Sequence, residues 1–430
     1  MALSVKHFAF NTGTAAAGNT VAVSGFGFQP KAVFLYTVGR VDTVDAIGRL
    51  TIITSFGVGT SATNRFSACT RIVDASAAAD VGARNSDAAI LEVPSSTGTI
   101  TSALDIQSMD ADGITFIIDT QFAASLRVMG IAWGGSDITN ANAINFALDT
   151  VVQERNITGV GFQGDFVLFA SIEGGSAPAA PPAAITNPGS IMLGAATSST
   201  TQWVVAGAED EGSATMDGKS YATDRECIAL QPPGVGALVS ARESFVSWQA
   251  DGFRLSHLEG TLAHQCFALV LKGGNYTVGN SLTATTLADV VVSGLAYAPV
   301  GGIVASAMKA EDAADTAAAH NQMSIGTFDS ATSRGAMAFL DEDAVADAEC
   351  TTAVEHDAVY ANISTASAIQ GLMDVKTMDS GGVTFTMDDA DPAQAWYGYA
   401  LFGSSAAAAS TDPPFMLPPP PRQSLVNVLY

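Results

Sequence analysis

The chain repeats itself three times in order, and this limits it to architectures built from three like modules. One block, Ser24-Gly25-Phe26-Gly27-Phe28-Gln29-Pro30 before Ala32-Val33-Phe34-Leu35-Tyr36, opens the series. It returns as Thr158-Gly159-Val160-Gly161-Phe162-Gln163-Gly164 before Phe166-Val167-Leu168-Phe169, and as Ser293-Gly294-Leu295-Ala296-Tyr297-Ala298-Pro299 before Gly302-Ile303-Val304-Ala305. A second block has a glycine (Gly57, Gly194, Gly326) and then a run toward Cys69, Cys227 or Cys350. The third reads Asp112-Gly113-Ile114-Thr115-Phe116, Asp251-Gly252-Phe253-Arg254-Leu255 and Gly381-Gly382-Val383-Thr384-Phe385, each followed by an apolar run ending in glycine. Gly25, Gly159 and Gly294 lie 134 and 135 residues apart, and Gly113, Gly252 and Gly382 lie 139 and 130 apart. Each copy opens on a similar strand, Lys6–Phe10, Ala143–Ala147 and Asn275–Val278.

The blocks are short runs of Val, Ile, Phe, Tyr and Thr bounded by Gly, Asp, Asn, Ser and Pro, which is strand patterning. Asp112-Gly113 and Asp251-Gly252 signal hairpins, since both residue types tolerate positive φ. The closing apolar run suits a strand covered on both faces. The expected fold is all-β: three tandem homologous β-sandwich domains, jelly-roll-like, over 1–136, 137–274 and 275–403. Ala-rich Asp74–Ala83 and Ala310–His320 read as short helices inserted between blocks. Residues 404–430 break the pattern. Asp412–Arg422 is proline-rich and expected to be extended polyproline II. An arm with no core of its own that carries Phe415, Met416, Leu417, Leu425, Val426, Val428, Leu429 and Tyr430 is a candidate partner-docking peptide.

With 48% hydrophobic and 14% charged residues, 430 residues can bury a large core. The 18 basic against 42 acidic side chains give a net charge of -24. That disfavours nucleic acid and an anionic membrane surface as partners. The segment Met1–Phe10 has no basic stretch followed by an apolar one, so the chain is expected to be made in the cytosol. Four cysteines without a C-x-x-C pair are too sparse for a disulfide scaffold; Cys69, Cys227 and Cys350 are expected as small buried residues on equivalent strands.

Few motifs carry chemistry. Gly159-Val160-Gly161-Phe162-Gln163-Gly164 matches a dinucleotide fingerprint but precedes a strand instead of opening a helix, so it reads as a turn. Asp379-Ser380-Gly381-Gly382 resembles a serine-protease nucleophile loop, yet it is the third copy of the hairpin, with no recurring His or Asp partner. His7, His257, His264, His320 and His356 show no metal spacing; His257 and His264 lie seven apart around an expected hairpin turn, which leaves a shared ligand role as the alternative. Glu209-Asp210-Glu211, Asp341-Glu342-Asp343 and Asp388-Asp389-Ala390-Asp391 read as solvated acidic faces, with calcium as the alternative. Asn156, Asn275 and Asn362 head sequons without consequence for a cytosolic chain. Trp133 and Trp396 fall in or beside core strands, and Trp203 and Trp248 are ambiguous. No catalytic residue, cofactor or metal is expected.

The Gly-Phe-x-Pro-Lys-Ala-Val-Phe-Leu segment at 27–35, the Asp-Gly-Ile-Thr-Phe hairpin and the closing Gly-x-Ala-x-Gly-Gly resemble modules of uncharacterised bacteriophage and prophage virion structural proteins. The likeness spans roughly residues 5–403 and carries no catalytic residue across. It implies a non-enzymatic virion protein, made in the host cytoplasm, whose partners are other virion proteins. The first expectation is a capsid decoration or cement protein, bound to the major capsid protein at the head surface as a pseudo-trimer. The alternative is a tail-tip or tail-fibre protein that recognises host surface polysaccharide.

Overall fold

The computed structural model describes the chain except residues 1, 42–45, 50, 74–79, 96–97, 173–188, 210–217, 231–238, 240, 261–262, 313–317, 343–349 and 405–430. The docking arm named above, Phe415 to Tyr430, lies outside the described residues. Those described form strands, turns and loops and contain no helix.

Six antiparallel sheets pair into three sandwiches. In the first unit the larger sheet has the order β1 (Leu3–Asn11), β11 (Arg127–Gly135), β3 (Pro30–Thr37), β5 (Thr51–Ser61), β6 (Asn64–Val73), β7 (Asp80–Ser86). Its smaller partner has the order β2 (Thr20–Ser24), β10 (Gly113–Thr120), β9 (Ile100–Asp110), β8 (Leu91–Pro94). In the second, β12 (Asn140–Ala147), β21 (Gln265–Lys272), β14 (Phe166–Ile172), β15 (Gly189–Ser198), β16 (Thr201–Glu209) and β17 (Lys219–Thr223) face β13 (Glu154–Ile157), β20 (Gly252–Glu259), β19 (Ala241–Gln249) and β18 (Ile228–Leu230). The third repeats the order with β22 (Asn275–Leu282), β32 (Trp396–Gly403), β24 (Pro299–Ser306), β26 (Asn321–Phe328), β27 (Arg334–Asp341) and β28 (Cys350–Glu355) over β23 (Asp289–Ser293), β31 (Gly382–Asp389), β30 (Ile369–Asp379) and β29 (Tyr360–Ile363). Four strands of each larger sheet form a meander, as do three of the smaller, so the strand order is not the double Greek key of a jelly roll.

Two short strands leave their own sandwich. Ile47–Arg49 (β4) pairs with β28, and Ala318–Ala319 (β25) pairs with β17. Each covers a sheet edge that would otherwise present unpaired backbone groups. Of the Ala-rich segments read as helices, Asp80–Ala83 belongs to β7 and Ala318–Ala319 is an exchanged strand, while 74–79 and 313–317 lie outside the described residues. Alanine's helix propensity is a fraction of a kcal/mol per residue, and edge pairing overrides it.

The cysteine equivalence also fails. Gly57, Gly194 and Gly326 do occupy matching positions, where a Cβ would strike the carbonyl of Ile90, Cys227 and Val359 respectively. Cys227 therefore matches Ile90 and Val359, while Cys69 sits on β6 and Cys350 on β28. Cys69, Cys227, Cys266 and Cys350 are buried and outside any disulfide, and they serve as small apolar residues.

The larger sheets are covered on both faces. One face meets the smaller sheet: Val33, Leu35 and Val128 pack with Leu104, Ile114 and Phe116 in the first unit, and the other units have matching cores. The opposite faces of all three larger sheets merge into a fourth core containing Trp133, Trp203, Trp396, Phe34, Phe166 and Phe402. Packing around it is cyclic, with β12 on β6, β22 on β16 and β1 on β27. Asn64 accepts from the Ala143 N–H at 2.9 Å, and Asp329 accepts from the His7 N–H, its counterpart at another junction, at 3.0 Å. Trp133 and Phe166 each meet the Phe402 ring edge-on, at 5.3 and 5.4 Å. The three units thus form a ring around a shared core.

Such a core predicts one cooperative unfolding transition by calorimetry. Trp203 is fully buried and donates Nε1–H to the Tyr399 carbonyl across a junction at 2.9 Å. Trp203→Phe should cost about 1–2 kcal/mol and move the entire transition; separate transitions for the units would contradict the shared core.

Candidate functional site

Strand polarity gives each sandwich two ends. One carries the hairpin turns and the inter-unit connections, and these gather together: the Leu3 N–H donates to Asp137 at 3.1 Å and to Ser404 Oγ at 3.0 Å. The other carries the longer loops.

At the connection end, the Gly-x-Gly turns are already filled. Gly25 and Gly27 have φ of +88° and +76°, and their N–H groups donate to the Asp112 carboxylate at 3.2 and 2.5 Å. Gly159 and Gly161 donate likewise to Asp251 at 3.1 and 2.5 Å. This is an anion-binding backbone nest holding the protein's own carboxylate, so the dinucleotide-like pattern is a turn. The aspartate of the Asp-Gly hairpin thus acts as an acceptor, while positive φ falls on its glycine, Gly113 (+155°) or Gly252 (+134°), and on the facing glycines. In the third unit, Gly381 replaces the aspartate and exchanges backbone bonds with Leu295 and Tyr297, and Ser380 lies exposed in that turn. Asp251→Ala should lower stability by about 1 kcal/mol; urea titration against wild type measures it, and an unchanged midpoint would refute the nest's contribution.

Among the described residues, the second unit carries an ionic cluster at a register where its neighbours pair apolar side chains. Glu243 and His257 face each other across β19 and β20, both fully buried, with Nδ1 3.3 Å from Oε1. The same Oε1 accepts from Arg155 Nη2 at 3.1 Å and from the Asp149 N–H at 3.2 Å. His257 Nε2 lies 3.1 Å from the Gly260 carbonyl. The hydrogen bond to Glu243 raises the His257 pKa despite burial. At the same register the first unit pairs Leu104 with Ile118, and the third pairs Met373 with Met387. Arg242 bridges Glu226 and Glu259 alongside, at 3.1 and 3.0 Å.

His264, considered with His257, is buried separately, and burial lowers its pKa to about 4. Among the described residues no three His, Cys, Asp or Glu side chains gather as a metal site. The acidic runs divide. Glu209, Asp341 and Asp391 are fully buried, Asp388 and Asp389 are exposed, and Asp210, Glu211 and Asp343 lie outside the described residues. Asp391 accepts from Thr283, Tyr360 and Asn362 side chains at 2.7, 2.7 and 2.8 Å. Trp203 is a core residue, and half-buried Trp248 donates to the Thr197 carbonyl.

At the loop end of the third unit, a pocket of about 290 Å³ opens between the two sheets. Met308, His320, Gln322, Asn362, Thr365 and Gln370 are among its lining residues. Sequence reading missed both this pocket and the His257–Glu243 pair. Comparing the three copies position by position flags the pair, since His257 stands where Ile118 and Met387 stand; the pocket is assembled from distant loops and has no such signal. No family model matches the sequence, and no curated protein matches it.

Proposed function

We propose that the chain is a non-enzymatic structural protein of a bacteriophage particle, a capsid decoration protein in which one chain stands in for a trimer. The observation that carries this reading is the ring: three sandwiches of one strand order packed cyclically around a shared core. Such a ring offers three like ends to three like neighbours, which is what a threefold position on a protein lattice demands. The resemblance of the repeated blocks to virion modules supplies the particle, and tandem homology of the units explains why one strand order recurs.

Exposed apolar side chains support a docking role. In the loop joining the first two strands of a unit, Val151 and Val152 are 58% and 69% exposed and, in the third unit, Leu287 is 71% exposed. In the first unit the same loop shows Ala15, Ala16 and Ala17 to solvent. Apolar side chains at matching loops of a ring suit a partner that repeats with the same symmetry. The net charge of -24 keeps such a protein off packaged nucleic acid. The Pro-rich arm, with Phe415, Leu425, Val428 and Tyr430, would reach an adjacent molecule.

The test is localisation on intact particles by cryo-EM, with binding of purified protein to expanded capsids and truncation after Ser404. Density at regular head positions supports the reading. Failure to bind capsids, with truncation changing nothing in virions, overturns it. A tail-tip receptor-binding role directed at host polysaccharide is the second reading, favoured by the polar pocket of the third unit; labelling at the tail would select it.

A further inference from the structure

We propose that the loop-end pocket of the third unit binds a neutral saccharide residue, a function separate from docking on a lattice. Three independent observations meet there. Backbone strain comes first. Among the described residues, non-glycine positive φ occurs at Met308 (+52°), His320 (+71°), Ser367 (+56°) and Gln394 (+48°). Met308 and His320 line the pocket, Ser367 lies in the turn that carries the lining residues Ser364 and Thr365, and Gln394 follows the lining residue Ala393. Non-glycine residues enter this region at a cost, and where they cluster the surrounding structure is holding a particular arrangement.

The second observation is a change of chemistry at one unit only. Asn362 occupies the register that holds Val93 in the first unit and Leu230 in the second. Asp391 lies where the loop of the first unit buries Phe122. Polar groups thus replace apolar ones at the mouth of this sandwich, and they are tied together. Asn362 donates its amide N–H to Asp391, and Asp391 also accepts from the Ala393 and Ala395 N–H groups at 2.9 and 3.3 Å. The Asn362 amide is therefore held in one orientation beneath the pocket.

Third, the lining fixes the ligand class. Among the described lining residues none is Lys, Arg, Asp or Glu. Amides and hydroxyls of Gln322, Asn362, Ser364, Thr365 and Gln370 stand beside Met308, Leu340 and Ile363. A charged group would lose its hydration with only the His320 imidazole as a counter-charge. A hydroxyl-rich neutral ring can exchange its water contacts for the amides and hydroxyls while laying C–H faces on the aliphatic side chains. A volume of about 290 Å³ is at the small end for ligand pockets, sized for one or two sugar rings.

The inference deepens the receptor-binding reading, but it does not depend on where the protein sits, and its failure leaves the head placement untouched. The experiment uses full-length protein, saturation-transfer NMR and calorimetry with methyl glycosides of glucose, galactose, mannose and N-acetylglucosamine, and glucuronate as the charged comparison. Saturable binding of at least one neutral glycoside, at least tenfold tighter than glucuronate, is expected. Thr365→Trp, which fills a half-buried rim position, should weaken it tenfold or more with the melting temperature unchanged, and Gln370→Ala at an exposed position should weaken it about threefold. Absence of saturable neutral binding, equal binding of glucuronate, or full binding by folded Thr365→Trp would each overturn the proposal.

Discussion

Acidification from pH 6.5 to about 4 is expected to remove several kcal/mol of stability, through two histidines held neutral in the fold. Burial lowers the His7 pKa to about 3, reinforced by the nearby charges of Lys6, Arg127 and His356. Burial alone lowers His264 to about 4. In the unfolded chain both titrate near the ordinary value of about 6.5. Between these limits the unfolded chain binds protons that the folded chain refuses, so stability falls as pH falls. At about 1.4 kcal/mol per pH unit, the effect reaches about 3 kcal/mol for His264 by pH 4 and about 5 kcal/mol for His7 by pH 3. Those magnitudes are comparable with the whole stability of a typical domain.

Several groups act in the opposite sense. Burial raises the pKa values of Glu92, Asp119, Glu311 and Asp312, and Asp374 and His257 go the same way. Burial and a hydrogen bond with Asp388 raise Asp374 to about 7, so it keeps a proton that the unfolded chain loses and favours the fold toward acid. The raised His257 pKa contributes stability that is present below about pH 6.5 and is lost as pH rises through the folded value. The histidine effect is therefore best read as a difference between proteins. Denaturant titrations at pH 7, 5.5 and 4.5 should show a flatter pH dependence for His7→Gln and for His264→Asn than for wild type. Superimposable slopes would show that neither ring is neutral because of its burial.

Removing one member of the second unit's buried pair is expected to be as damaging as opening a cavity. Glu243→Met leaves His257 with only the Gly260 carbonyl, and Arg155 with Asp149 at 4.0 Å. Breaking a buried ion pair from one side typically costs about 3–5 kcal/mol, because the remaining charge stays desolvated. Replacing both partners by apolar residues removes that penalty. Glu243→Met with His257→Met recreates the Met373–Met387 pair of the third unit and should recover stability to within about 1 kcal/mol of wild type. Arg155 retains its contact with the Phe146 ring, 5.6 Å away, and reaches solvent. A double mutant as unstable as the two singles added together would mean that the cluster positions something beyond itself.

How much could be read from residues alone differs by level. The hairpin turns were legible because Gly25, Gly27 and Asp112 act within one turn region, and turn chemistry is local. The opening strands of each unit were legible for the same reason. Matching the cysteines by residue type misled, since Cys227 serves as a backbone contact for Gly194 and its side chain is incidental. The Ala-rich segments misled because their fate depends on a sheet edge outside the segment, β6 for Asp80–Ala83 and, in another unit, β17 for Ala318–Ala319. The His257–Glu243 pair needed the cross-strand register, and the pocket needed four loops of one unit brought together.

By itself, the sequence determined that this is an all-β chain of three like units, because strand alternation and turn residues act over a few positions and recur at fixed spacing. Only the tertiary structure decided that the units close into a ring. Strands such as Pro30–Thr37 and Phe166–Ile172 are buried along nearly their whole length, and a continuous apolar run says that both faces are covered without saying by what. The partner of each outer face is a matter of long-range packing, and there the three larger sheets found one another.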